Sequence, residues 1–407
     1  MTDSKPAVPV AYLDHAATTA MRPSALTTLT ESAAELGNPS SLHSAGRRSR
    51  RIVEESREIF ADELGVRPSD VVFTSGGTEA DNLAIKGLYW AAVAKDPART
   101  TLLVSTIEHH AVLDAVEWLA EHEGACVEWI PAGLDGRVDV EWLAEFLRRD
   151  ASGVALCAVM WANNETGVIQ PVESVAALCD EFEIPFHCDA VQGVAWLSQP
   201  SVGRSANSSL AISAHKFGGP VGVGALVING LTPQPLFHGG GQEIDVRSGT
   251  VATALIASAA AAFNEAASQR STEVSRVAAL SEQLRTGVLH VAPDAVIVAR
   301  ESARLAGISS ISFPGCQADA LLMLLDSVGV ACSAGSACTA GVPRPSHVLL
   351  AMGVPVEQAQ ATLRFSLGWS SAPSEVEALL SALPAVLERA RRANRGGTRS
   401  PARVGIS

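Results

Sequence analysis

Short apolar runs alternate along the chain with segments whose apolar residues recur at helical spacing. The segment 49–64 is one of these: it places Ile52, Ile59 and Leu64 among charged residues, as an amphipathic helix does. The unbroken apolar run 154–160 is typical of a strand buried on both faces. Such runs predict strands at 71–74, 101–106, 154–160, 185–188, 210–213 and 224–228. The pattern therefore predicts an α/β fold with a mostly parallel sheet.

Polar residues of chemical interest follow the predicted strands directly. Because ligands of open α/β sheets collect at the carboxyl ends of the strands, these positions predict one shared site. A structural role is the simpler explanation for any one of them, and above all for a lone histidine, but five clusters at successive strand ends are harder to explain that way. The clusters are Gly77 with Thr78, then His109, then Asn164, then Asp189 with Gln192, and finally Ser213 with His215 and Lys216.

The first cluster lies in the sequence SGGTE, 75–79, between a strand and a helical pattern. Exposed N–H groups and the positive end of the helix dipole favour an anion at such a junction. Glycine permits close approach, and Thr78 adds a hydroxyl group. The segment is not a Walker motif, because the lysine of that motif is absent. An ordinary turn between strand and helix is the alternative.

Lys216 stands alone in AISAHKFGGP, 211–220: the nearest other lysine is Lys95, and none follows. Its amine is either a surface charge or the group that condenses with an aldehyde cofactor. A Schiff base with pyridoxal phosphate (PLP) would need a phosphate cradle, a carboxylate at the pyridine nitrogen, partners for the ring substituents and a group against the ring face. The candidates for these tasks are, in that order, Gly77 and Thr78, Asp189, Asn164 and Gln192, and His109.

Eleven motifs, in order, resemble those of a known family. They are YLDHAATT (12–19), GNPSSLH (37–43), FTSGGTEADNLAIKG (73–87), EHHAV (108–112), NNETG (163–167), HCDAVQ (187–192), SAHKFGGP (213–220), HGGGQE (238–243), RSGT (247–250), GSACTAG (335–341) and RFSLG (364–368). Together they are similar to the cysteine desulfurases of the NifS/IscS-like group in the class V aminotransferase family. The resemblance implies the PLP-dependent transferase fold of type I, with a mostly parallel seven-stranded sheet in a large domain and a smaller α+β C-terminal domain. It also implies PLP as cofactor and L-cysteine as substrate, with L-alanine as product.

The resemblance assigns roles to the matching positions. Lys216 is implied to hold the cofactor and to abstract the Cα proton, Asp189 to pair with the pyridine nitrogen, and His109 to stack on the ring and move protons. Gln192 is implied to meet the phenolate oxygen. The phosphate is implied to be held by Gly77, Thr78, Ser213 and His215, with Thr250 reaching the site of the partner subunit, so that the enzyme is a homodimer. The substrate carboxylate is implied to face Asn164 and Arg364, with Asn38 nearby.

Cys338 in GSACTAG is implied to be the nucleophile that takes the sulfur as a persulfide and passes it to an acceptor protein. A segment of small residues suits a group that must meet both the cofactor and an acceptor. With Ser346 eight positions later, the motif resembles the long, mobile form of this loop, which is typical of Fe–S assembly and tRNA thiolation. No resident metal site is predicted, but Cys338 is a candidate transient Fe–S ligand with a scaffold partner. Cys332 is interpreted as packing rather than as a second sulfur relay.

Composition narrows the class of protein. The 407 residues, 47% hydrophobic, are enough for two domains with a sizeable core. A net charge of −13 argues against direct nucleic-acid binding. Without a signal core or an apolar run near 20 residues, we expect a cytoplasmic protein with no membrane contact. The seven cysteines form no CxxC pair, so neither a disulfide framework nor a closed zinc site is expected, and most should be buried.

We expect residues 1–19 to pack with the small domain and 20–269 to form the large PLP-binding domain. The small domain would be 270–388, carrying the active-cysteine loop at 329–347, and 389–407 would be an Arg-rich disordered tail. Alternative enzymes that keep the cofactor are a selenocysteine lyase, another class V transaminase or lyase, or a desulfurase dedicated to DNA phosphorothioation or to a biosynthetic pathway. The non-enzymatic alternative is a scaffold or regulatory protein, which would require the loss of a central residue.

Overall fold

The computed structural model describes residues 11–198, 205–335 and 345–397. After a short first strand, β1 (Ala11–Tyr12), the chain builds a seven-stranded sheet in the order β2-β8-β7-β6-β5-β3-β4. β8 runs antiparallel to β2 and β7, and the other neighbouring pairs are parallel. The strands are β2 (Val71–Thr74), β3 (Thr101–Ser105), β4 (Cys126–Ile130), β5 (Val154–Ala158), β6 (Phe186–Asp189), β7 (Ser208–Ser213) and β8 (Gly224–Asn229). The predicted mostly parallel seven-stranded sheet is confirmed.

Helices cover both faces of this sheet. Successive residues of a strand point to opposite faces, so Leu210 and Ile212 of β7 enter one hydrophobic core and Ala211 enters another. Local chemistry starts some of the helices: the Asp139 side chain accepts a hydrogen bond from the Trp142 N–H, 2.9 Å away, at the start of α5. The helices are α1 (Pro23–Ala34), α2 (Ser44–Leu64), α3 (Gly77–Lys95), α4 (His110–Glu123), α5 (Val140–Asp150), α6 (Val172–Glu181) and α7 (Thr253–Val291).

A smaller α+β unit follows, as the fold prediction required. Its sheet has the order β12-β13-β10-β9 with antiparallel pairs, and β1 pairs in parallel with β11. The strands are β9 (Val296–Ile297), β10 (Ile308–Ser312), β11 (Val330–Ala331), β12 (Ser333–Ala334) and β13 (Thr362–Ser366). The helices are α8 (Ala318–Asp326), α9 (His347–Ala351), α10 (Val356–Ala359) and α11 (Pro373–Gly397). Within the described ranges, no helix is both long and apolar enough to cross a membrane.

Helix α7 joins the two units without a break over 39 residues. Phe263 packs in a core of the large sheet, whereas Val277 and Leu284 pack in the core of the smaller unit. The domain boundary predicted near Gln269 therefore falls inside a continuous helix. The change of core takes place along that helix rather than at a linker.

The N-terminal segment lies against the smaller unit. Besides the β1–β11 pair, the Ser366 N–H donates to the Leu13 carbonyl at 2.8 Å, and the Ala16 N–H donates to the Ser366 hydroxyl at 2.9 Å. Leu13 is buried in the core of that unit. Residues 12–19 are thereby held beside β13, close to the ends of the large sheet.

The C-terminal end differs from the prediction. Helix α11 continues to Gly397. The prediction that the chain is disordered from Arg389 onwards is therefore wrong for residues 389–397. Ala390 is buried, and Arg391 forms an ion pair with Asp294 at 2.6 Å, so one face of the helix packs on the smaller unit. The prediction of disorder was based on the arginines in this stretch and did not take account of the apolar face between them. Residues 398–407 lie outside the described ranges.

Candidate active site

A cavity of about 380 Å³ opens where the carboxyl ends of the large-sheet strands meet the N-terminal segment and β13. Ten of the thirteen residues predicted for the site line it. These ten are Gly77, Thr78, His109, Asn164, Asp189, Gln192, Ser213, His215, Lys216 and Arg364. Of the other three, Asn38 and Thr250 are exposed residues that do not line the cavity of this single chain, and Cys338 lies outside the described residues.

Lys216 ends the short 3-10 turn Ala214–Lys216 that follows β7. Its Nζ donates hydrogen bonds to the carbonyls of Ala16 and Ala17, at 2.6 and 2.9 Å. Burial, together with the positive charge of Arg364, lowers the pKa of Lys216 to about 8. A much larger share of the amine is therefore neutral, and so nucleophilic, at neutral pH than for an exposed lysine.

Asp189 ends β6 and is buried. Its Oδ1 accepts a hydrogen bond from the Val191 N–H at 2.9 Å. Burial raises the pKa of Asp189, while His109 and Lys216 oppose that rise. Because burial disfavours the charged form of Asp189, a cation beside the carboxylate stabilises that form. A protonated pyridine nitrogen would be such a cation.

His109 occupies the N-cap of α4, where its Nδ1 accepts from the Ala111 N–H at 3.1 Å. The remaining hydrogen of the neutral ring is therefore on Nε2. Burial lowers the pKa of His109, which favours this neutral form. A neutral imidazole fixed at a helix start is suited to lie flat against an aromatic ring.

The start of α3 forms an anion cradle. The helix begins at Gly77 directly after the turn that ends β2, and the Ser213 side chain lies opposite. A Cβ at Gly77 would lie 2.7 Å from Cγ2 of Val191, so only glycine lets the backbone approach this closely. Thr78, Ser213 and His215 add polar side chains around the same end of the cavity. The helix dipole and these donors suit a phosphate.

This donor set fits PLP group by group. The helix start and its hydroxyls match the phosphate, Asp189 the ring nitrogen, His109 the ring face, and the Lys216 amine the aldehyde. The strongest sign of fit is the glycine at residue 77, because any larger residue would clash with Val191 and keep the helix start from lying this close to the end of the cavity.

Arg364 of β13 faces the cavity from the smaller unit. Its Nη1 donates to the Asn164 carbonyl at 2.9 Å, and its Nη2 donates to Oδ1 of Asp14 at 2.8 Å. Its Nε is buried without a hydrogen-bond partner among the described residues. Sequence reasoning missed Asp14; the signal was its place in YLDHAATT, but nothing in the sequence pairs it with a residue 350 positions away.

Sequence reasoning also missed a buried polar cluster behind Asp189. Oδ1 of Asp81, which lines the cavity, lies 3.1 Å from Nε2 of His187, and Nδ1 of that ring lies 2.9 Å from the Ser209 hydroxyl. Glu108 accepts from the Met160 N–H at 2.7 Å, and burial raises its pKa to about 8. Asp81 and Glu108 belong to motifs already noted, but their burial was not visible in the sequence.

The described cysteines mostly follow the expectation of burial. Cys126 is exposed on β4, and Cys332 is half-buried. Burial raises the pKa of Cys332 to about 12, so its thiol is protonated at neutral pH. A protonated thiol is a poor nucleophile, which supports the interpretation of Cys332 as packing. The buried thiols are Cys157, Cys179, Cys188 and Cys316.

Fold and cavity together define a PLP-dependent enzyme of fold type I. Residues 11–379 match the family model of the class V aminotransferases. The chain is 49% identical to an IscS-like cysteine desulfurase of Mycobacterium tuberculosis, over 94% of this chain and 98% of that protein. It is 40% identical to a cysteine desulfurase of Cereibacter sphaeroides, over 93% of this chain and 96% of that one. A solved NifS-like protein superposes with a TM-score of 0.85 at 32% identity, covering 93% of this chain and 99% of that structure. The chain therefore belongs to the class V aminotransferase family, among its cysteine desulfurases.

Proposed function

We propose that this enzyme removes sulfur from L-cysteine, leaves L-alanine, and carries the sulfur as a persulfide on Cys338. The observation that carries the proposal is the convergence of three groups in one cavity: the amine of Lys216, the carboxylate of Asp189 and the guanidinium of Arg364. When bound, PLP supplies an aldehyde for amines and an electron sink for the reacting carbon. The residues of the chain supply binding, orientation and proton transfer.

Lys216 would hold the cofactor and then act as the base at the substrate Cα. Its pKa of about 8 suits both tasks, because a base works best when its pKa is near the working pH. The carbonyls of Ala16 and Ala17 accept its hydrogen bonds and so orient the free amine inside the cavity. Arg364 would bind the substrate carboxylate through its planar fork. Asn164, whose carbonyl already accepts from Arg364, would complete that end of the site.

The proposed transfer of sulfur from L-cysteine needs one thiol, that of Cys338, and no further oxidant or reductant. The Cys338 thiolate attacks the sulfur of the bound cysteine; an S–S bond forms as the Cβ–S bond breaks. The electron pair of the broken bond stays on Cβ, which takes a proton and becomes the methyl group of alanine. L-cysteine and one thiol thus give L-alanine and one persulfide.

The partners are part of the proposal. Thr250 would reach the phosphate site of the partner subunit in a homodimer, since it is exposed here and does not line the cavity of its own chain. The persulfide would be passed to an acceptor protein for Fe–S cluster assembly or tRNA thiolation, with Cys338 as a transient cluster ligand. A location in the cytoplasm and the role of Asn38 near the substrate stay predictions of the sequence.

The test is a Cys338→Ala variant incubated with L-cysteine and a thiol reductant. We expect sulfide release to be lost, while the absorbance of the bound cofactor is unchanged, because the thiol takes no part in cofactor binding. Cys332→Ala is the matched control and should release sulfide like the unaltered enzyme. Full sulfide release from Cys338→Ala would show that the nucleophile is another group. Replacing cysteine by selenocysteine in the same assay tests the selenocysteine lyase alternative.

A further inference from the structure

Glu165 follows Asn164 in the turn between β5 and α6, and its side chain is buried. Its Oε2 lies 2.5 Å from the hydroxyl of Ser346. That hydroxyl oxygen also caps α9, because it accepts from the Leu349 N–H at 3.1 Å. Since the oxygen is engaged as an acceptor there, the one hydrogen of Ser346 is free to be donated to Glu165.

Gly335 lies against the same carboxylate oxygen, beside Ser346. A Cβ at this position would overlap Oε2 of Glu165, so glycine is required for the contact. Gly335 and Ser346 stand on either side of the sequence 336–344, which contains Cys338. One carboxylate oxygen therefore touches the chain just before and just after that segment.

The surrounding contacts connect both ends to the reaction site. Just before the segment 336–344, Ser333 of β12 pairs opposite Arg364 of β13. Just after the segment, Nε2 of His347 donates to the carbonyl of Glu108 at 2.9 Å. Glu108 directly precedes His109 in the sequence. Glu165 itself follows directly on Asn164, the residue whose carbonyl binds Arg364.

We propose that Glu165 is a positioning residue for sulfur transfer, which holds both ends of the Cys338 segment against the turn that carries Asn164. The inference rests on the proposed function, because it takes Cys338 as the sulfur acceptor. Glu165 does not line the cavity, so it acts through the backbone of Gly335 and the hydroxyl of Ser346 rather than on the cofactor. A 1 Å displacement of a reacting group can cost about a hundredfold in rate.

The test compares Glu165→Gln with Glu165→Leu in the holoenzyme. Burial raises the pKa of Glu165 to about 7, so glutamine, which is neutral and keeps an acceptor oxygen, closely imitates the protonated acid. Without reductant, persulfide formation on Cys338 in the first turnover is followed by rapid quenching and mass spectrometry. KM for cysteine and the cofactor absorbance are measured alongside. We expect Glu165→Leu to slow persulfide formation about tenfold or more, with KM and absorbance within about twofold, and Glu165→Gln to restore most of the rate.

Ser346→Ala removes the same hydrogen bond from the other partner and provides a second measurement if Glu165→Leu does not fold. The double variant Glu165→Gln with Ser346→Ala should be no slower than Ser346→Ala alone, because the two side chains act through one contact. A normal persulfide rate in both Glu165→Leu and Ser346→Ala overturns the inference. A loss of cofactor absorbance as large as the loss of persulfide rate in these variants overturns it too. If the unaltered enzyme forms no persulfide on Cys338, it is the proposed function that fails.

Discussion

The two walls of the cavity are built differently. The cofactor wall, named for its proposed role and made of Gly77, Asp189 and Lys216, comes from the carboxyl ends of β2, β6 and β7 in one sheet. The substrate wall, named for its proposed role, is made of Asn164 and Arg364, with Asp14 as the ion-pair partner of Arg364, and these residues come from three segments far apart in the sequence. On the substrate wall the arginine already has an anionic partner, since Asp14 lies 2.8 Å from it. On the cofactor wall the carboxylate of Asp189 accepts from a backbone N–H, and the hydrogen-bond partners of Lys216 among the described residues are two carbonyls.

The difference matches two kinds of ligand. On the proposed function, a resident cofactor would be held by groups that have no ion-pair partner among the described residues, so its binding would gain their full interaction. On the proposed function, a substrate that must leave as product would meet an arginine whose charge is already compensated, so its carboxylate would replace Asp14 and gain only the difference. The proposed roles therefore predict retention of the ligand on the cofactor wall and exchange of the ligand on the substrate wall.

The largest expected effect is on the cofactor wall. Lys216→Ala should lower desulfurase activity by at least about 10³-fold, because it removes both the covalent anchor and the base. Borohydride reduction followed by mass spectrometry should no longer add the cofactor mass to the chain. Lys95→Ala, at an exposed lysine, is the matched control. Retained activity in Lys216→Ala would remove the distinction between the two walls.

The substrate wall should respond in KM. Arg364→Lys keeps the charge but loses the planar fork, and a charge-assisted hydrogen bond is worth roughly 1.5–3 kcal/mol. We expect KM for L-cysteine to rise about 10- to 100-fold, with cofactor absorbance unchanged. Arg391→Lys, at the exposed ion pair with Asp294, should leave both quantities unchanged. Loss of cofactor from Arg364→Lys would show that the two walls are not separate.

The next effect is a pH dependence of the cofactor wall. Because the pKa of Lys216 is lowered from 10.5 to about 8, its amine loses the proton as pH rises through 8, and only the neutral form attacks an aldehyde. The rate at which cofactor-free enzyme rebinds PLP should therefore rise about tenfold between pH 7 and 9. Arg364→Lys keeps the neighbouring positive charge and should show the same midpoint. A midpoint near 10.5 would mean that burial does not act on this amine.

The smallest effect concerns the competition on the substrate wall. Asp14→Asn removes the anion that pairs with Arg364, so the substrate carboxylate no longer has to replace it. We expect KM for L-cysteine to fall by up to about fivefold, in line with a partly exposed ion pair worth about 1 kcal/mol. Asp294→Asn is the control, because it breaks an ion pair away from the cavity. A rise in KM of the same size would instead make Asp14 an orienting group for Arg364.

Much of the cofactor wall was predictable because its chemistry is local to each strand end. The apolar runs predicted β2 and β7, and the polar residues that follow them are the ones that line the cavity. β4 was missed because an edge strand need not be apolar: Cys126, Glu128 and Trp129 are exposed. The helical end of α11 was missed because its apolar face is recognisable only against the unit that covers it.

Sequence alone determined which chemical groups are present, and the motif order pointed to a cysteine desulfurase. Strand, glycine turn and helix follow from neighbouring residues, so those groups can be identified without the fold. Only the tertiary structure decided which of these groups lie together and how burial changes their pKa values. It brought Asp14 to Arg364 and Glu165 to Ser346, and burial moved the pKa of Lys216 to about 8. Contacts across hundreds of residues and the loss of water around a charge arise only when the chain packs, and for that reason no local pattern contains them.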